Sequence, residues 1–467
     1  MWSDVAEAET IPVPAVPGPG VVAVIGLGRL GLPRVVQFAS RGWRVLGCDL
    51  NPRVVECLNG GLLPICEEPE LENELPGLLE RGLFTATVNI GEAVARAKVI
   101  VVMVPARLDE HQQVDFQDLD ATTEVIGQAL QPGSLVCYEA TLPVGTTQGR
   151  LRAMLESSSG LDASQEFFLA YSPERTLLGH GLHDLRTYPK IVGGIDLRST
   201  RAAVAFYRSV LPVEILTLAS AAEAEFTRLI ELTYQDVNIA LANEFACYAD
   251  EHGLDVMAAI AAANTSPAAH ILQPGVGVGG HALPVYPYFL INDTPPGDPG
   301  EFQHLRMPRV ARQINDGMAE YAVQRIEAAA GSLWRRSVLL LGVACRAETR
   351  ETTLSSAYLL QTALWRRGAT VYVDDPLYTP AELHTLGFQP LPPGRENEID
   401  AMILQMAHRA YQNFDFRKFP RCRVILDGRY GLLRERAEDA GIRYMALGDG
   451  REDAAQCLPP VRGKARS

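Results

Sequence analysis

The sequence has very little lysine and no long apolar segment. Its basic side chains are almost all arginine, because lysine occurs only at Lys98, Lys190, Lys418 and Lys464. No run of eighteen apolar residues occurs, which excludes an ordinary membrane-spanning helix. The first residues, MWSDVAEAETIPVPAVPGPG, are acidic and proline-rich and lack the basic region of a signal peptide. We expect residues 1–18 to form a disordered tail.

An excess of positive charge is also missing. The 56 acidic residues outnumber the 42 basic ones, which gives a formal net charge of −14. Nucleic acids and anionic membranes are bound by basic surfaces, so neither is expected as a partner. Local basic sites for a small phosphorylated molecule remain compatible with this balance.

The cysteines show neither a metal-binding nor a disulfide pattern. No CxxC or CxxH spacing occurs among Cys48, Cys57, Cys66, Cys137, Cys247, Cys345, Cys422 and Cys457. In a long chain, scattered cysteines are typical of reduced thiols in a cytoplasmic protein. We therefore predict a cytoplasmic protein without a metal site. With 467 residues, 47% of them hydrophobic, the chain is long enough for two to three globular domains.

A dinucleotide-binding fingerprint follows the tail. The segment VVAVIGLGRLGLPRVVQFASRGWRVLGCDL reads as a strand, a GxGxxG turn, a helix and a second strand that ends in an acid. Gly26, Gly28 and Gly31 permit a tight turn and a close approach of a pyrophosphate to the helix N-terminus. Asp49 can accept hydrogen bonds from a ribose diol and repels a 2′-phosphate, so NAD is favoured over NADP. An ordinary glycine turn is the alternative interpretation.

Alternating strands and helices predict the rest of the organisation. Strands are expected in AKVIVVMVP (97–105), SLVCYEATLPVGTT (134–147), FFLAYSPE (167–174) and KIVGG (190–194). From about 216 to 264, apolar residues recur every three or four positions without a strand signal. This pattern predicts a long helix that spans a core or forms a dimer. A second alternation of strands and helices begins at RRSVLLLGVA (335–344).

The predicted fold class is therefore α/β, with two Rossmann-like doubly wound domains joined by a long central helical region. We expect an N-terminal NAD-binding domain at 19–212 and a central helical region at 213–330. A C-terminal domain is expected at 331–455, followed by a tail at 456–467. A Pro/Gly-rich segment, NDTPPGDPG (292–300), interrupts the central region.

A second glycine-rich stretch, GVGVGGHALPVYPYF, follows the central helix. Gly275, Gly277, Gly279 and Gly280 are expected to leave backbone N–H groups open to a sugar or diphosphate. A flexible turn between domains is the alternative. His281 is either a packed or solvent-facing residue or an acid–base group.

The sequence resembles the UDP-glucose/GDP-mannose dehydrogenase family over about residues 20–450, and most closely its UDP-N-acetylhexosamine dehydrogenase branch. The matching blocks are VAVIGLGRLGLP, EATLPVGTT, YSPER, GHGLHDLRTYPKIVGG, DVNIALANE, PGVGVGGHALPVYPYFL, ARQIND and VILDGR. The resemblance implies an NAD-binding domain, a helical dimerisation core and a nucleotide-sugar-binding domain, hence a homodimer with a nucleotide-sugar substrate. Members of the family typically oxidise a sugar C6 alcohol twice, through a covalent thiohemiacetal on a cysteine.

The family's catalytic residues are only partly present. The cysteine position is matched by Ala282, and the aspartate four residues later by Tyr286. The lysine and asparagine of the central helix are matched by Arg228 and Leu232. An arginine can hydrogen-bond an oxyanion, but its pKa above 12 excludes work as a general base. Replacement of lysine by drift in a lysine-poor sequence is the alternative explanation of Arg228.

Two catalytic residues of the family pattern, Glu174 and Thr141, are retained. The residues expected to act in catalysis are Glu174, Thr141, Arg228 and Tyr286. The cofactor-binding set is Gly26, Gly28, Arg29, Leu30, Gly31, Asp49, Arg53, Val104, Pro105 and Thr141. The substrate-binding set is Arg175, Lys190, Arg228, Asn238, Gly275, Gly277, Gly279, Gly280, His281 and Arg312. In the C-terminal domain Arg346 and Thr353 stand where the family has lysine and arginine, which predicts altered nucleotide and sugar contacts.

Three functions are compatible with this set. The first is an NAD-dependent enzyme that carries out one two-electron step on a nucleotide-activated sugar, in unusual-sugar or secondary-metabolite biosynthesis. This step oxidises a secondary alcohol to a ketone, or is transient during epimerisation or dehydration. The second is a conventional nucleotide-sugar 6-dehydrogenase with relocated catalytic groups. The third is a non-catalytic homologue that binds NAD or a nucleotide sugar.

Overall fold

The computed structural model describes residues 19–64, 68–163, 165–177, 179–292 and 305–450. Both predicted tails, 1–18 and 456–467, lie outside these residues, as does the Pro/Gly-rich segment after Asn292. The chain divides into two compact units. Unit 1 comprises Met1–Glu231 and Tyr288–Asp293, and unit 2 comprises Leu232–Pro287 and Thr294–Ser467.

Unit 1 is built around one large sheet. The strands in its described residues are β1 (Val21–Ile25), β2 (Arg44–Cys48), β3 (Phe84–Thr87), β4 (Val99–Val102), β5 (Arg107–Leu108), β6 (Val114–Asp115), β7 (Leu135–Tyr138), β8 (Phe168–Tyr171), β9 (Lys190–Gly194) and β10 (Ile215–Thr217). Eight of them form a sheet in the order β10-β9-β8-β7-β4-β1-β2-β3, and β5 and β6 form a separate antiparallel pair. The large sheet is parallel except where β9 reverses direction against β8. The first predicted Rossmann-like domain is confirmed.

Helices connect these strands. They are α1 (Gly31–Ser40), α2 (Pro52–Asn59), α3 (Pro69–Glu80), α4 (Ile90–Arg96), α5 (Gln117–Ala129), α6 (Arg152–Ser159), α7 (Gly181–Leu185) and α8 (Leu197–Val210), with a π-helical turn at Thr147–Leu151. The central strands are fully buried and apolar, because helices cover both faces of a sheet of this kind. Phe38 and Trp43 each pack edge to face against Phe206 in the core, with ring centroids 5.3 Å from that of Phe206.

The predicted helix over 216–264 is interrupted. Its first residues form strand β10, and two helices follow, α9 (Ala221–His252) and α10 (Val256–Ala263). The break is at Gly253, whose φ is +67°, a conformation that ends helices. The side chain of Asp255 then accepts the N–H of Ala258 and caps α10. The expectation of uninterrupted helix without a strand is therefore wrong at both ends of the interval.

Unit 2 contains the second sheet. The next helix in the chain, α11 (Pro287–Ile291), lies in unit 1 except for its first residue. The elements of unit 2 that follow are α12 (Arg306–Ala330), β11 (Ser337–Leu341), α13 (Ser356–Arg366), β12 (Thr370–Asp374), α14 (Pro380–Thr385), β13 (Ala401–Leu404), β14 (Val424–Asp427), α15 (Arg434–Asp439) and β15 (Arg443–Ala446), with 3₁₀ turns at Glu396–Glu398, Arg409–Asn413 and Phe416–Lys418. The five strands are parallel, in the order β12-β11-β13-β14-β15. The predicted fold class, with two Rossmann-like sheets, is confirmed. In the described ranges no helix is both long and apolar enough to cross a membrane.

Candidate functional site

The first glycine loop folds tightly against helix α1. Gly26, directly after β1, has a φ of +97°, which strongly favours glycine. A Cβ added to Gly31 would lie 1.9 Å from the carbonyl oxygen of Gly26. Gly28 is different, because it is exposed and a Cβ there would meet no atom within 4 Å. The loop is thus closed against the protein at two glycines and open at the third.

Asp49 lies at the edge of the same loop. One carboxylate oxygen accepts the N–H of Leu27 at 3.1 Å and the other accepts the N–H of Asn51 at 2.9 Å. The side chain is only partly buried, so lone pairs on both oxygens remain for a ligand. An open glycine at a helix N-terminus and an anchored acid fit the pyrophosphate and ribose of NAD.

The other cofactor-binding predictions lie around this loop or in the segments that follow nearby strands. Leu30 occupies the N-cap position of α1, and Arg29 precedes it. Arg53 is exposed in the first turn of α2. Val104 and Pro105 are half-buried after β4, and Thr141 is buried after β7. Direct contact of these residues with NAD stays a prediction.

Unit 1 also contains a buried cluster of charges. Arg34 of α1 donates from Nε to Glu139 at 2.6 Å, and its guanidinium pairs with Glu174. Lys190 donates to Glu139 at 2.9 Å, as does the hydroxyl of Tyr207 at 2.7 Å. Burial by itself raises the pKa of Glu139, but the charges of Arg34 and Lys190 outweigh it and bring this pKa to about 2. Burial also lowers the pKa of Lys190 to about 8 despite the neighbouring carboxylate.

This cluster includes two residues predicted for the site. Glu174 is 3% exposed and Lys190 is 6% exposed. The ammonium of Lys190 is 3.3 Å from the carbonyl oxygens of Ser172 and Pro173 in addition to its contact with Glu139. Its observed contacts are therefore internal, and its role in substrate binding stays a prediction. Arg34 and Glu139 are additions that the sequence analysis did not select.

Arg175 and Arg228 share one carboxylate in unit 1. Arg175 pairs with Glu231 at 2.5 Å, and Arg228 lies 3.3 Å from the other oxygen of the same side chain. Arg228 and Glu231 are three residues apart on α9, so they lie on one face of the helix. The two arginines therefore lie close together, and their contacts with an oxyanion or substrate stay a prediction.

Glu225 is a further residue that the sequence analysis missed. Its carboxylate accepts the backbone N–H groups of Gly145, at 2.6 Å, and Thr147, at 2.8 Å, as well as the Thr147 hydroxyl. Burial raises the pKa of Glu225 to about 7, although these hydrogen bonds act in the opposite direction. An ionisable group therefore holds the loop that follows Thr141 in the chain.

The second glycine loop, in unit 2, is packed by the protein itself. The N–H of Gly275 donates to the side chain of Asn243 at 2.8 Å, and the N–H of Gly280 donates to the carbonyl of Thr353 at 2.8 Å. The expectation that these two N–H groups are open to a ligand is wrong, because intramolecular acceptors occupy them. A Cβ on Gly279 would lie 2.9 Å from the Cβ of Cys345. Close packing thus requires glycine here whether or not a ligand binds.

A buried polar network supports this loop. The side-chain amide of Asn243 donates to Asn315 at 2.9 Å, and Asn315 donates to the carboxylate of Asp236 at 2.8 Å. Arg312 donates to the same carboxylate at 2.6 Å and to Asp316 at 2.5 Å. Burial raises the pKa of Asp236, and Arg312 opposes the shift. Arg312 is only 2% exposed, so its observed partners are internal and its contact with a diphosphate stays a prediction.

Asn238 has a similar internal role. Its amide donates to the carbonyl of His270 at 2.6 Å, and its oxygen accepts the N–H of Leu272 at 2.9 Å. These bonds attach the segment before the glycine loop to α9. The spacing of Asp236 and Asn243, seven residues apart on a predicted helix, was a signal for a shared polar face.

The residues after the loop form a short turn. His281 Nδ1 is 2.8 Å from the carboxylate of Glu351, a partner that the sequence analysis did not select. The carbonyl of Ala282 accepts the N–H groups of Val285, at 3.1 Å, and Tyr286, at 2.9 Å. Tyr286 is buried in unit 2, and Leu232 is buried on α9. Neither the methyl group of Ala282 nor the alkyl chain of Leu232 can supply a nucleophile or a hydrogen-bond donor.

Unit 1 has the Rossmann-like fold of an NAD-binding domain. A family model for the UDP-glucose/GDP-mannose dehydrogenase family, NAD binding domain, matches residues 21–211, and the model for the central domain of the same family matches residues 222–316. The chain belongs to the UDP-glucose/GDP-mannose dehydrogenase family. The predicted resemblance and the predicted cofactor, NAD, are confirmed.

Relatives match along nearly the whole chain. The UDP-N-acetyl-D-mannosamine dehydrogenase of Pyrococcus horikoshii is 31% identical over 436 residues, which cover 92% of this chain and 99% of the relative. The NDP-N-acetyl-D-galactosaminuronic acid dehydrogenase of Ralstonia solanacearum is 30% identical, with 87% and 95% covered. A solved structure of the UDP-D-ManNAc dehydrogenase from Pyrococcus horikoshii has a TM-score of 0.82 at 30% identity and covers 92% of this chain and 100% of that one. By their names, these relatives are dehydrogenases of nucleotide sugars.

Proposed function

We propose that this protein is a cytoplasmic NAD-dependent oxidoreductase that carries out a single two-electron step on a nucleotide-activated sugar. The observation that supports the single step is the methyl side chain of Ala282, at the position that matches the family's cysteine. Free thiols are consistent with a cytoplasmic protein. In the described residues the free cysteines are Cys48, Cys57, Cys137, Cys247, Cys345 and Cys422.

An enzyme without the thiol can still carry out one oxidation. A second hydride can leave only from a carbon that still carries hydrogen, and in an aldehyde this requires a nucleophile to form a tetrahedral adduct. A secondary alcohol gives a ketone, which has no such hydrogen. A substrate whose reacting carbon is a secondary alcohol therefore needs hydride transfer and proton removal, but no thiol. NAD, when bound, accepts the hydride.

The retained residues suit this half of the chemistry. Glu174 carries a carboxylate, a group that can accept a proton, and it pairs with the Arg34 guanidinium. Thr141 supplies a hydroxyl that can orient the substrate alcohol. Arg228 supplies a fixed positive charge for an oxygen that becomes negative. Tyr286 is buried, and its phenol can orient a ligand but is a poor base.

The stoichiometry of NADH tests the proposal. The protein is offered NAD with a panel of UDP-, GDP- and dTDP-linked sugars, and NADH and product are quantified together. We expect one NADH for each sugar with a ketone product, or none with an epimerised or dehydrated product. Two NADH for each sugar with an acid product would overturn the single step. Binding without turnover of any sugar would indicate a non-catalytic homologue.

One observation favours a second candidate function, a conventional 6-dehydrogenase with a relocated thiol. Cys345 lies against the second glycine loop, where a Cβ on Gly280 would be 3.8 Å from its sulfur. The variant C345S separates the candidates. If the parent forms acid and C345S stops after one NADH, Cys345 is the nucleophile. If the parent releases one NADH for each sugar and C345S does the same, the single step stands. The variant A282C is the complementary test, since acid formation from a hexose would show that the rest of the site is competent.

The same proposal includes a homodimer formed through α9. Tyr234, Leu241, Phe245 and Tyr248 are 40–56% exposed, at spacings of seven, four and three residues that place them on one helix face. Large apolar side chains in such a row are typical of an interface. We expect light scattering to give the mass of two chains and the double variant L241E/F245E to give one. A parent of one chain's mass would overturn the dimer.

A further inference from the structure

Arg34 is an unusual residue for its position in α1. Every residue from Gly31 to Ala39 is buried, and Arg34 is 1% exposed in this otherwise mostly apolar stretch. A buried guanidinium is costly unless its charge is balanced and its donors are used. The position therefore requires partners that the fold supplies from elsewhere.

Those partners come from three separate segments of unit 1. One terminal nitrogen donates to the carbonyl of Leu30 at 2.5 Å, within the GxGxxG turn. Nε donates to Glu139 at 2.6 Å, just after β7, and the other terminal nitrogen pairs with Glu174, just after β8. The planar guanidinium joins the three because its donors point in fixed, different directions.

The charges in this cluster balance. Glu139 is also neutralised by Lys190 at 2.9 Å, so two cations face two carboxylates. Glu174 is held further by its own backbone N–H, which donates to the carbonyl of Glu139 at 2.9 Å. The carboxylate of Glu174 and the turn that binds NAD are thus linked through one side chain.

We infer that Arg34 is a positioning residue that couples the NAD-binding turn to the carboxylate of Glu174. Leu30, whose carbonyl accepts from Arg34, immediately precedes the helix N-terminus that would hold the pyrophosphate of NAD. A shift of this turn on NAD binding is transmitted to Glu174, and loss of the Glu174 charge is transmitted back to the turn. The consequence for turnover rests on the proposed function, whereas the consequence for NAD affinity does not.

A double-mutant cycle on NAD affinity tests the coupling without any sugar. The proteins are the parent, E174Q, R34M/E139Q and the triple variant, with the dissociation constant measured by calorimetry. R34M/E139Q removes one charge of each sign, so the cluster stays balanced and the protein is expected to fold. R150M is the matched control, because Arg150 pairs with Asp120 in the same unit but is about half exposed.

We expect E174Q to weaken NAD binding at least about fivefold in the parent and less than about twofold in R34M/E139Q. R150M should leave the dissociation constant unchanged. An equal effect of E174Q in both backgrounds, or no effect in the parent, would overturn the coupling.

The conservative variant R34K adds a kinetic readout once a sugar is found that turns over. Lysine keeps the charge but cannot reach three acceptors, so kcat should fall at least about tenfold while KM for the sugar changes less than about threefold. A tenfold fall in kcat/KM that comes from KM alone would contradict the role of Arg34 in positioning Glu174. If no sugar turns over, the proposed function fails while the NAD cycle still decides the coupling.

Discussion

The two glycine loops of this protein use the same residue type for different reasons. In unit 1, Gly28 is exposed with open space where a Cβ would lie, and Gly31 is closed against Gly26. In unit 2, the loop from Gly275 to Gly280 is in contact with protein atoms at Gly275, Gly277 and Gly279. Glycine therefore leaves open space at Gly28 in the first loop and makes room for the protein's own side chains in the second. A glycine-rich pattern alone does not distinguish these uses.

The largest effect is expected at the first loop. G31A places a Cβ 1.9 Å from a carbonyl oxygen, which requires the turn to open. We expect NAD affinity to fall by about a hundredfold or more and the protein to unfold at lower temperature, since backbone atoms must move. Calorimetric titration measures the NAD affinity, and thermal unfolding measures the unfolding temperature. G28A is the control for the open position: it should keep the stability of the parent but weaken NAD binding. Equal unfolding temperatures for G31A and G28A would contradict the difference between the closed position and the open one.

The second prediction concerns the side chains that accept backbone N–H groups of a loop in each unit, because these side chains differ in charge. In unit 1 Glu225 holds backbone N–H groups, whereas in unit 2 the neutral Asn243 does so. Burial raises the pKa of Glu225 from 4.5 to about 7, so the fold favours its protonated form. The stabilisation is complete below about pH 4.5 and is lost as pH rises through 7, a change of roughly 3 kcal/mol in the free energy of unfolding.

Urea unfolding at pH 5, 6, 7 and 8 measures this dependence. The variant E225Q cannot ionise at this position and should lose the slope, while N243A should keep it. Parallel curves for the parent and E225Q would show that other groups cause the dependence.

The third prediction concerns packing of the second loop. G279A brings a Cβ within 2.9 Å of the Cβ of Cys345 and the carbonyl of Leu354. We expect a loss of about 1–3 kcal/mol in the free energy of unfolding, as for overpacked cores. G317A, in α12 with no atom within 4 Å of its Cβ, is the matched control and should stabilise by about 0.5–1 kcal/mol. If the free energy of unfolding of G279A equalled that of the parent, close packing of the second glycine loop would be contradicted.

The smallest expected effect is that of N243A. It removes the acceptor of the Gly275 N–H and the donor to Asn315, and leaves buried groups without a partner. We expect a loss of about 1–2 kcal/mol, measured by urea unfolding. N243D keeps the acceptor for Gly275 but not the donor, so its loss reports on the contact with Asn315. A value for N243A within error of the parent would contradict a supporting role.

The sequence was sufficient for the features that depend on local pattern. Buried strands such as β4 and β13 are short apolar runs, and the GxGxxG turn lies between a strand and a helix as predicted. The break at Gly253 was missed because apolar residues continue at helical spacing on both sides of it. Strand β10 was missed because it has only three residues.

The parts of the site that could not be predicted depend on distant partners. Glu225 contacts Gly145, 80 positions away in the chain, and Arg34 contacts Glu139, 105 positions away. A single sequence contains no signal that pairs such residues, and each by itself reads as an ordinary helical charge. The internal roles of Lys190 and Arg312 were hidden for the same reason, since a buried cation and a ligand-binding cation look alike in sequence.

The turn at Ala282 has a consequence for how this protein could change over generations. Its hydrogen bonds are made by the backbone carbonyl, and the residue does not adopt the left-handed conformation. These hydrogen bonds do not involve the side chain at this position. A nucleophilic side chain at this position can therefore be lost or regained in evolution without a change in the hydrogen bonds of the turn that would present it.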